Sequence, residues 1–376
     1  MKAGWRQARL NDLCVVDWGN TNLTKAAYVE AGEFLAVSAA GCDGRIGHKE
    51  HFKHTPVLSA IGAQCGKMFF PDEDFTAIKN TITLTPREGK CSGRFLYYLL
   101  TFVKLPQRGA GQPFISKGDI QSFAVTFPPL PEQQHIVGIL DEAFDGIATA
   151  KANAEKNLQN ARTLFESHLN AVFTQRGKGW VEKPLGEVCR FSSGGTPSKT
   201  ESRYWNGSIP WVSGRDMKST RLSDAALHIS QEGLDESSTR MAPAGTLLTL
   251  VRGMGLAHGA QIAELMVPCA FNQDIRAIYP ERNIASRFLL FALRTGINRS
   301  ENVLSNAAHG TLKIDMDELR HVAIPVPSPI EQERVARQIA ALDAETQRLE
   351  SIYRQKLAAL DALKKSLLDQ AFNGLL

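Results

Sequence analysis

No stretch of this chain reaches the roughly 18 consecutive apolar residues of a membrane span. The start, Met1-Lys2-Ala3-Gly4-Trp5-Arg6, lacks the apolar core of a secretory signal. The six cysteines (Cys14, Cys42, Cys65, Cys91, Cys189 and Cys269) are dispersed, without a Cys-x-x-Cys pair. That argues against zinc and disulfides and fits reduced core residues in a cytoplasmic protein. There is no Gly-x-x-x-x-Gly-Lys-Ser/Thr phosphate loop, which excludes the commonest nucleotide-hydrolysing site. Phe127-Pro128-Pro129-Leu130 has the prolines of an amino-methyltransferase motif but neither the amide or acid before them nor the aromatic after. It reads as a linker whose prolines block helix until Glu132. Pro71-Asp72-Glu73-Asp74 is followed by no Glu-x-Lys at a useful distance, so it reads as a solvated turn rather than a nuclease site. His48, His51 and His54 fall three apart on a loop, but the histidines show no metal-ligand spacing. No catalytic residue, metal or cofactor is expected.

What is present is a duplication. Gly4-Trp5, followed by Leu10, Asp12, Leu13 and Cys14, returns as Gly179-Trp180, followed by Leu185, Glu187, Val188 and Cys189. Each half closes on Pro-x-x-x-Glu-Gln (Pro128, Glu132, Gln133; Pro327, Glu331, Gln332), opening a long helical pattern. Pro128 to Phe173 overlays Pro327 to Phe372 without a gap, so the variable length lies inside the globular parts. Two copies give two similar surfaces related by a pseudo-two-fold axis. Duplex DNA backbone has that kind of symmetry, so the architecture suits reading two separated DNA sites. The net charge is only +4, from 43 basic and 39 acidic residues. A chain holding DNA alone usually carries more, so a basic partner is expected to share the phosphate contacts.

The pattern predicts an α+β protein: two α/β heads with small twisted sheets, separated by two long antiparallel helices in a coiled coil. Strands are expected at Phe34 to Val37, Pro56 to Gly62, Thr81 to Leu84, Gly245 to Val251 and Ile275 to Tyr279. Helices are expected around Phe95 to Leu100 and Phe288 to Leu293. In the first long helix Leu140, Phe144, Ile147, Ala154, Leu158, Ala161 and Phe165 recur at steps of four and three, with Lys151 interrupting. The second runs Leu342, Leu349, Tyr353, Leu360, Leu363 and Leu367, with Thr346 and Lys356 as polar steps. Second stripes (Leu164, Leu169 and Phe173; Leu357, Leu368 and Phe372) leave apolar surface for another chain or widen one internal seam. The residues proposed to hold partners are Leu158, Leu164, Leu169, Phe173, Leu357, Leu363, Leu368 and Phe372. A helix of about 40 residues is about 60 Å long, a spacer rather than a pocket.

Several segments now carry a family resemblance over the whole chain. Leu130 to Val137 and Ala154 to Arg162 match the opening and centre of a conserved helix. Gly194-Gly195-Thr196-Pro197-Ser198 with Ile209-Pro210-Trp211-Val212, and Phe271-Asn272-Gln273-Asp274-Ile275-Arg276-Ala277, match a recognition domain. The chain resembles the specificity subunit of a Type I restriction–modification system. The resemblance implies target-recognition domains at 1–129 and 177–326 and conserved helical spacers at 130–176 and 327–376. It implies that the partners are double-stranded DNA, two methyltransferase (modification) subunits on the helices and two motor-nuclease (restriction) subunits, with no membrane. It further implies an adenine target, flipped from the stack and methylated by the partner. The first head departs from the pattern, with Gly19-Asn20-Thr21-Asn22 and Ala77-Ile78-Lys79-Asn80-Thr81 at the corresponding places. Different loops on one scaffold predict different half-sites, hence an asymmetric, bipartite target.

Arg and Lys pair with guanine, Asn and Gln with adenine, from loops that can enter a groove. The first head offers Asn20, Thr21, Asn22, Lys25, Arg45, His48, Lys67, Lys79, Asn80, Gln112 and Lys117. The second offers Thr196, Ser198, Lys199, Arg215, Asp216, Lys218, Arg252, His309, Thr311 and Lys313. Each is weighed against a merely solvated loop residue, and phosphate contact against base contact. For Asn272, Gln273 and Asp274, bonds to nearby backbone are an equal explanation. Trp5, Trp180, Tyr204, Trp205 and Trp211 are assigned to packing. The alternatives from other classes are an adaptor binding protein or RNA, and an enzyme with unrecognised motifs.

Overall fold

In a computed structural model, residues 4–300, 302–306 and 312–376 are described. They form two compact units, Met1–Lys156 with Tyr353–Leu376, and Asn157–Ile352. The first long helix spans Leu130–Gln175 and the second Pro329–Phe372, so each is divided between the two units.

In the first unit, Cys14–Trp18, Thr81–Pro86, Val57–Ser59 and Met68–Phe69 form an antiparallel sheet in that order. A second sheet orders Gly41–Ile46, Phe34–Ser38 and Phe75–Ala77. The expected strand over Pro56 to Gly62 is shorter because Ile61 bridges Phe114 instead. The second unit elaborates the scheme. Its five-stranded sheet runs Cys189–Ser193, Ile275–Pro280, Leu247–Leu250, Ile262–Leu265 and Arg221–Leu222. A four-stranded sheet is built around Trp205–Val212. The first strand of each head returns to pair with the strand just before a long helix: Arg6–Arg9 with Ala124–Phe127, and Val181–Pro184 with Ala323–Val326. The amphipathic helices Gly93–Phe102 and Ser286–Arg299 bury Phe95, Leu96 and Leu100, and Phe288, Leu290 and Phe291. Each such side chain contributes roughly 1.5–3 kcal/mol.

The repeated motifs have local physical causes. Gly4 and Gly179 both hold positive φ, at +85° and +82°, a conformation that strains any residue with a Cβ. Trp5 donates its indole N–H to Glu132 at 3.0 Å, while Trp180 packs between Phe173 and Phe288. Gln133 is fully buried; its Oε1 accepts the Ser92 amide at 2.9 Å and its Nε2 donates to the carbonyls of Lys90 and Pro128. Gln332 repeats this with the Ala285 amide and the carbonyls of Asn283 and Pro327. The first long helix opens at Leu130, not Glu132, because a proline in the first turn (Pro131) removes only an amide that has no helical partner.

Within the first unit Ile136, Leu140, Ile147 and Ala154 are buried, and Phe372 packs against Phe95 and Phe102 at 5.5 and 5.4 Å. Lys151 pairs with Asp361 at 2.7 Å. Within the second, Phe165, Leu169 and Phe173 share a core with Val335, Ala336 and Ile339, and Arg162 grips Glu350 through two hydrogen bonds. Both ion pairs join the helices antiparallel. The buried face of the second helix passes through Ile339, Asp343 and Thr346, where the apolar periodicity had placed Leu342. Burial raises the Asp343 carboxyl pKa against the opposing pull of Arg294 and Arg287.

All six cysteines are free; Cys14, Cys91, Cys189 and Cys269 are buried, whereas Cys42 is exposed on its strand, contrary to a core assignment. Burial pushes the Cys14, Cys91 and Cys189 thiols up to about 12. Among the described residues, no helix is long and apolar enough to cross a membrane.

Candidate nucleic-acid interface

In the first unit the loop after Cys14–Trp18 lies beside the turn between Phe75–Ala77 and Thr81–Pro86. The Asn20 amide donates to Ala77 O at 2.7 Å and the Lys79 amide to Leu23 O at 3.1 Å. This brings Lys25, Lys79 and Asn80 to one shallow cleft of about 270 Å³. Asn80 sits at φ +71°, turning the chain so that Lys79 is exposed. Thr21 and Asn22 are exposed at the loop tip, whose shape is held by the Asn22 amide donating to Asn20 Oδ1.

Other candidates already have anionic partners. Lys25 pairs with Asp43 at 2.6 Å, Lys117 with Asp17 at 2.7 Å, and Arg45 grips Glu73 through both terminal nitrogens. Asn20 Nδ2 donates to Glu50, and His48 faces the same carboxylate. The Lys25 and Lys117 partners hold the Asp43 and Asp17 carboxyls below their usual range, Asp43 despite its burial. Such exposed pairs stabilise by about 0–1 kcal/mol, little enough for a phosphate to replace the carboxylate. Two candidates expected on loops lie elsewhere: Arg45 within the strand Gly41–Ile46, and Lys117 at the opening of a short helix, Lys117–Ser122. The Ser116 hydroxyl caps that helix. Lys67 stands over the Phe69 ring, and Gln112 is exposed. His48, His51 and His54 go separate ways: His51 lies against Phe75 and His54 stacks on Phe70.

In the second unit the Gly194-Gly195-Thr196-Pro197 loop packs on the Asn272-Gln273-Asp274 turn. A Cβ at Gly194 would lie 2.2 Å from Phe271 O, and one at Gly195 2.4 Å from Ser238. Thr196 donates to Gln273, and Asn272 Oδ1 accepts the Asp274 amide. The two sequence motifs are thus partners in one contact, and the backbone-bonding explanation accounts for Asn272. Trp211 donates to Gly195 O and Trp205 to Ser198 O, and the two rings meet edge to face, so these aromatics shape the loop from behind. Ser198 and Lys199 are left exposed at the tip.

Arg215 and Lys218 are exposed on the turn after Trp205–Val212. Asp216 between them ties the turn together. Its Oδ2 accepts from the Ser213 amide and hydroxyl, and its Oδ1 from the Ala226 amide. Arg252 is exposed and bridges Lys313 through the backbone. His309 and Thr311 lie outside the described residues.

Of the helix residues proposed to hold partners, Leu169, Phe173 and Leu368 are buried and Phe372 packs against a core, so the second stripe is largely consumed inside each unit. Leu158 and Leu357 are half-buried, while Leu164 and Leu363 are 66% and 46% exposed. Single-sequence periodicity could not separate these groups, because both stripes are equally apolar. The sequence reading also passed over Arg240, Arg276 and Arg320. Arg276 is camouflaged by the alternation of Ile275-Arg276-Ala277.

The profile of the Type I restriction modification DNA specificity domain matches residues 2–159 and 177–358. The specificity subunit of the Type I restriction enzyme EcoR124I/EcoR124II of Escherichia coli is 29% identical over 287 residues, covering 73% of this chain and 70% of that one. A chain from a structure addressing complex assembly and conformational transition of the type I R-M system has a similar fold. Its TM-score is 0.77 at 19% identity, over 99% of this chain and 98% of that one. The HsdS subunit from Thermoanaerobacter tengcongensis gives a TM-score of 0.56 at 20% identity, over 100% and 98%. Two copies of the domain, each bearing glycine-anchored loops lined with hydrogen-bonding and cationic side chains, make this chain a member of the Type I restriction–modification DNA specificity subunit family, non-catalytic proteins that recognise DNA through two domains.

Proposed function

We propose that each head reads one half of an asymmetric, bipartite duplex target, within a cytoplasmic complex that methylates adenine. The observation that carries this is the pairing of one scaffold with two different loop sets. The strand pairs Cys14–Trp18 with Thr81–Pro86 and Cys189–Ser193 with Ile275–Pro280 share a register, yet Asn20-Thr21-Asn22 and Lys79-Asn80 stand where the second head has Gly195-Thr196-Pro197 and Gln273-Asp274. Lys79, Asn80, Thr21, Asn22, Lys67 and Gln112 are the contacts favoured in the first head. Lys199, Ser198, Arg215, Lys218, Arg252 and Lys313 are those favoured in the second. Chemistry comes from two modification subunits, which the helices hold through the exposed Leu164 and Leu363, and restriction subunits join that core. Segments 130–176 and 327–376 act as spacers between the recognition domains 1–129 and 177–326.

The test is to exchange residues 1–129 for the equivalent head of another family member and map methylated adenines across a host genome. One half of the motif should change and the other stay. A motif whose halves changed together would end the idea of independent reading, and specific capture of RNA or protein in place of duplex would favour an adaptor.

A further inference from the structure

The second unit holds a cleft of about 360 Å³ lined by Phe191, Ser192, Ser193, Arg240, Arg276, Met316 and Arg320, with no carboxylate in its lining. Ser193 shares the Arg276 face of the sheet, while the Ser192 hydroxyl is hydrogen-bonded to the Tyr279 hydroxyl at 2.9 Å. Three guanidiniums and one hydroxyl around a cleft without an acid suit an anion, since a phosphate offers oxygens to all of them. Resting on the reading of this chain as a duplex-recognising subunit, we propose that this cleft seats a backbone phosphate of DNA at the second half-site.

Comparison with the other head sharpens the assignment. Cys14 faces Pro86 as Cys189 faces Pro280, so Ser192 and Ser193 stand where the first head has Asp17 and Trp18, and Arg276 where it has Ile82. Met316 opens the short helix that Lys117 opens there. In the first head that position is neutralised internally: Lys117 binds Asp17 at 2.7 Å and Ile82 is fully buried. In the second head both members of that pair are gone, with Met316 for Lys117 and Ser192 for Asp17, and Arg276 adds a positive charge where the first head buries Ile82.

Arg276 is half-buried, and its Nη1 reaches only the carbonyls of Gln273 and Ile275, at 3.3 and 3.5 Å. Burial, then the nearby charge of Arg252, lower its pKa, and Asp274 only partly opposes them. A phosphate would relieve both effects. Arg240 is exposed at the start of Arg240–Ala242. Arg320 lies over the Phe191 ring, 5.8 Å from its centroid, and pairs with Asp317 at 3.2 Å; both charged side chains are more than half exposed, so that ion pair can be exchanged at little cost.

The experiment measures binding of the complex, co-expressed with its modification subunits, to duplex carrying the mapped motif, from about 50 to 300 mM salt. Arg240→Gln and Arg276→Gln should each flatten the plot of log affinity against log salt by about 0.9. Base preference at the second half-site should be unchanged, and Arg276→Lys should keep the wild-type slope. Because Arg240 is exposed, its variant keeps the test alive if Arg276→Gln misfolds. Unchanged slopes in both variants would overturn the proposal, as would altered base preference, which marks a base contact. Inorganic pyrophosphate raising the melting temperature of wild type but not of the variants, with unchanged DNA slopes, would assign the cleft to a free anion and also overturn it. Failure of the wild-type complex to select any duplex sequence would instead strike the underlying reading of the chain.

Discussion

Gln133 and Gln332 show how much a single side chain can specify. Each is sealed from water and satisfies one amide and two carbonyls, tying the first turn of a long helix to the segment leading into its head's helix. A carboxylate has the same shape but no donors, so Gln133→Glu would set a charge against two carbonyls. It should destabilise the first unit by about 3 kcal/mol, read by urea unfolding, with Gln332→Glu doing the same for the second. A change under about 0.5 kcal/mol in either would show the clamp to be dispensable. These residues were visible in the sequence because they recur, as do Gly4 and Gly179, whose shared positive φ explains them. The surroundings of Asp216 and Arg276 were not legible, for two reasons. Hydrogen-bonding residues on loops look alike in sequence whether they face solvent or tie the loop together, and a strand arginine is hidden by alternation. Gly194→Ala offers a second check: with Phe271 O only 2.2 Å from the new Cβ, the loop must shift. Reading of the second half-site should weaken at least tenfold in duplex binding while the first is kept. Retention of both would mean that Thr196 and Lys199 do not depend on that packing.

At the scale of elements, the helical period was legible and the choice of face only partly so. A 3.5-residue repeat gives the stripe but not its partner; Thr346, a polar step of the stripe, is buried, and so is Asp343, which the repeat leaves off it. Buried apolar side chains set the register of the helices within each unit, and the ion pairs Lys151–Asp361 and Arg162–Glu350 mark it. They also dictate how a spacer variant must be made. Four residues added after Ala154 alone lengthen the first helix between Lys151 and Arg162 and leave the second unchanged between Glu350 and Asp361. Such a variant should lose cooperative unfolding. Four residues added after Ala154 and four after Leu357 lengthen both segments by about 6 Å while nearly preserving the heptad face. The double insertion should alter the non-specific spacer of the methylated motif, by one or two base pairs, and keep both half-sites. An unchanged spacer in an active double variant would mean the helices do not set head separation.

For the whole molecule, the duplication was the most legible feature, and its short sheets followed from strands bounded by turn residues. What periodicity could not express is how packing groups the chain. The second unit is one continuous stretch, Asn157–Ile352, whereas the first joins Met1–Lys156 to Tyr353–Leu376. During translation the second unit has all its residues while the first still waits for its last helical segment, so the head made first is finished last. Until then Phe95 and Phe102 lack the Phe372 ring that covers them, leaving apolar surface for a chaperone to guard. Premature termination after Ile352 should therefore damage the distant beginning of the chain rather than its neighbour. Hydrogen exchange on the truncated protein should show Phe95 to Phe102 unprotected and Phe288 to Leu293 protected as in the full chain. The reverse pattern would show that the end of the second helix serves the head it follows in sequence.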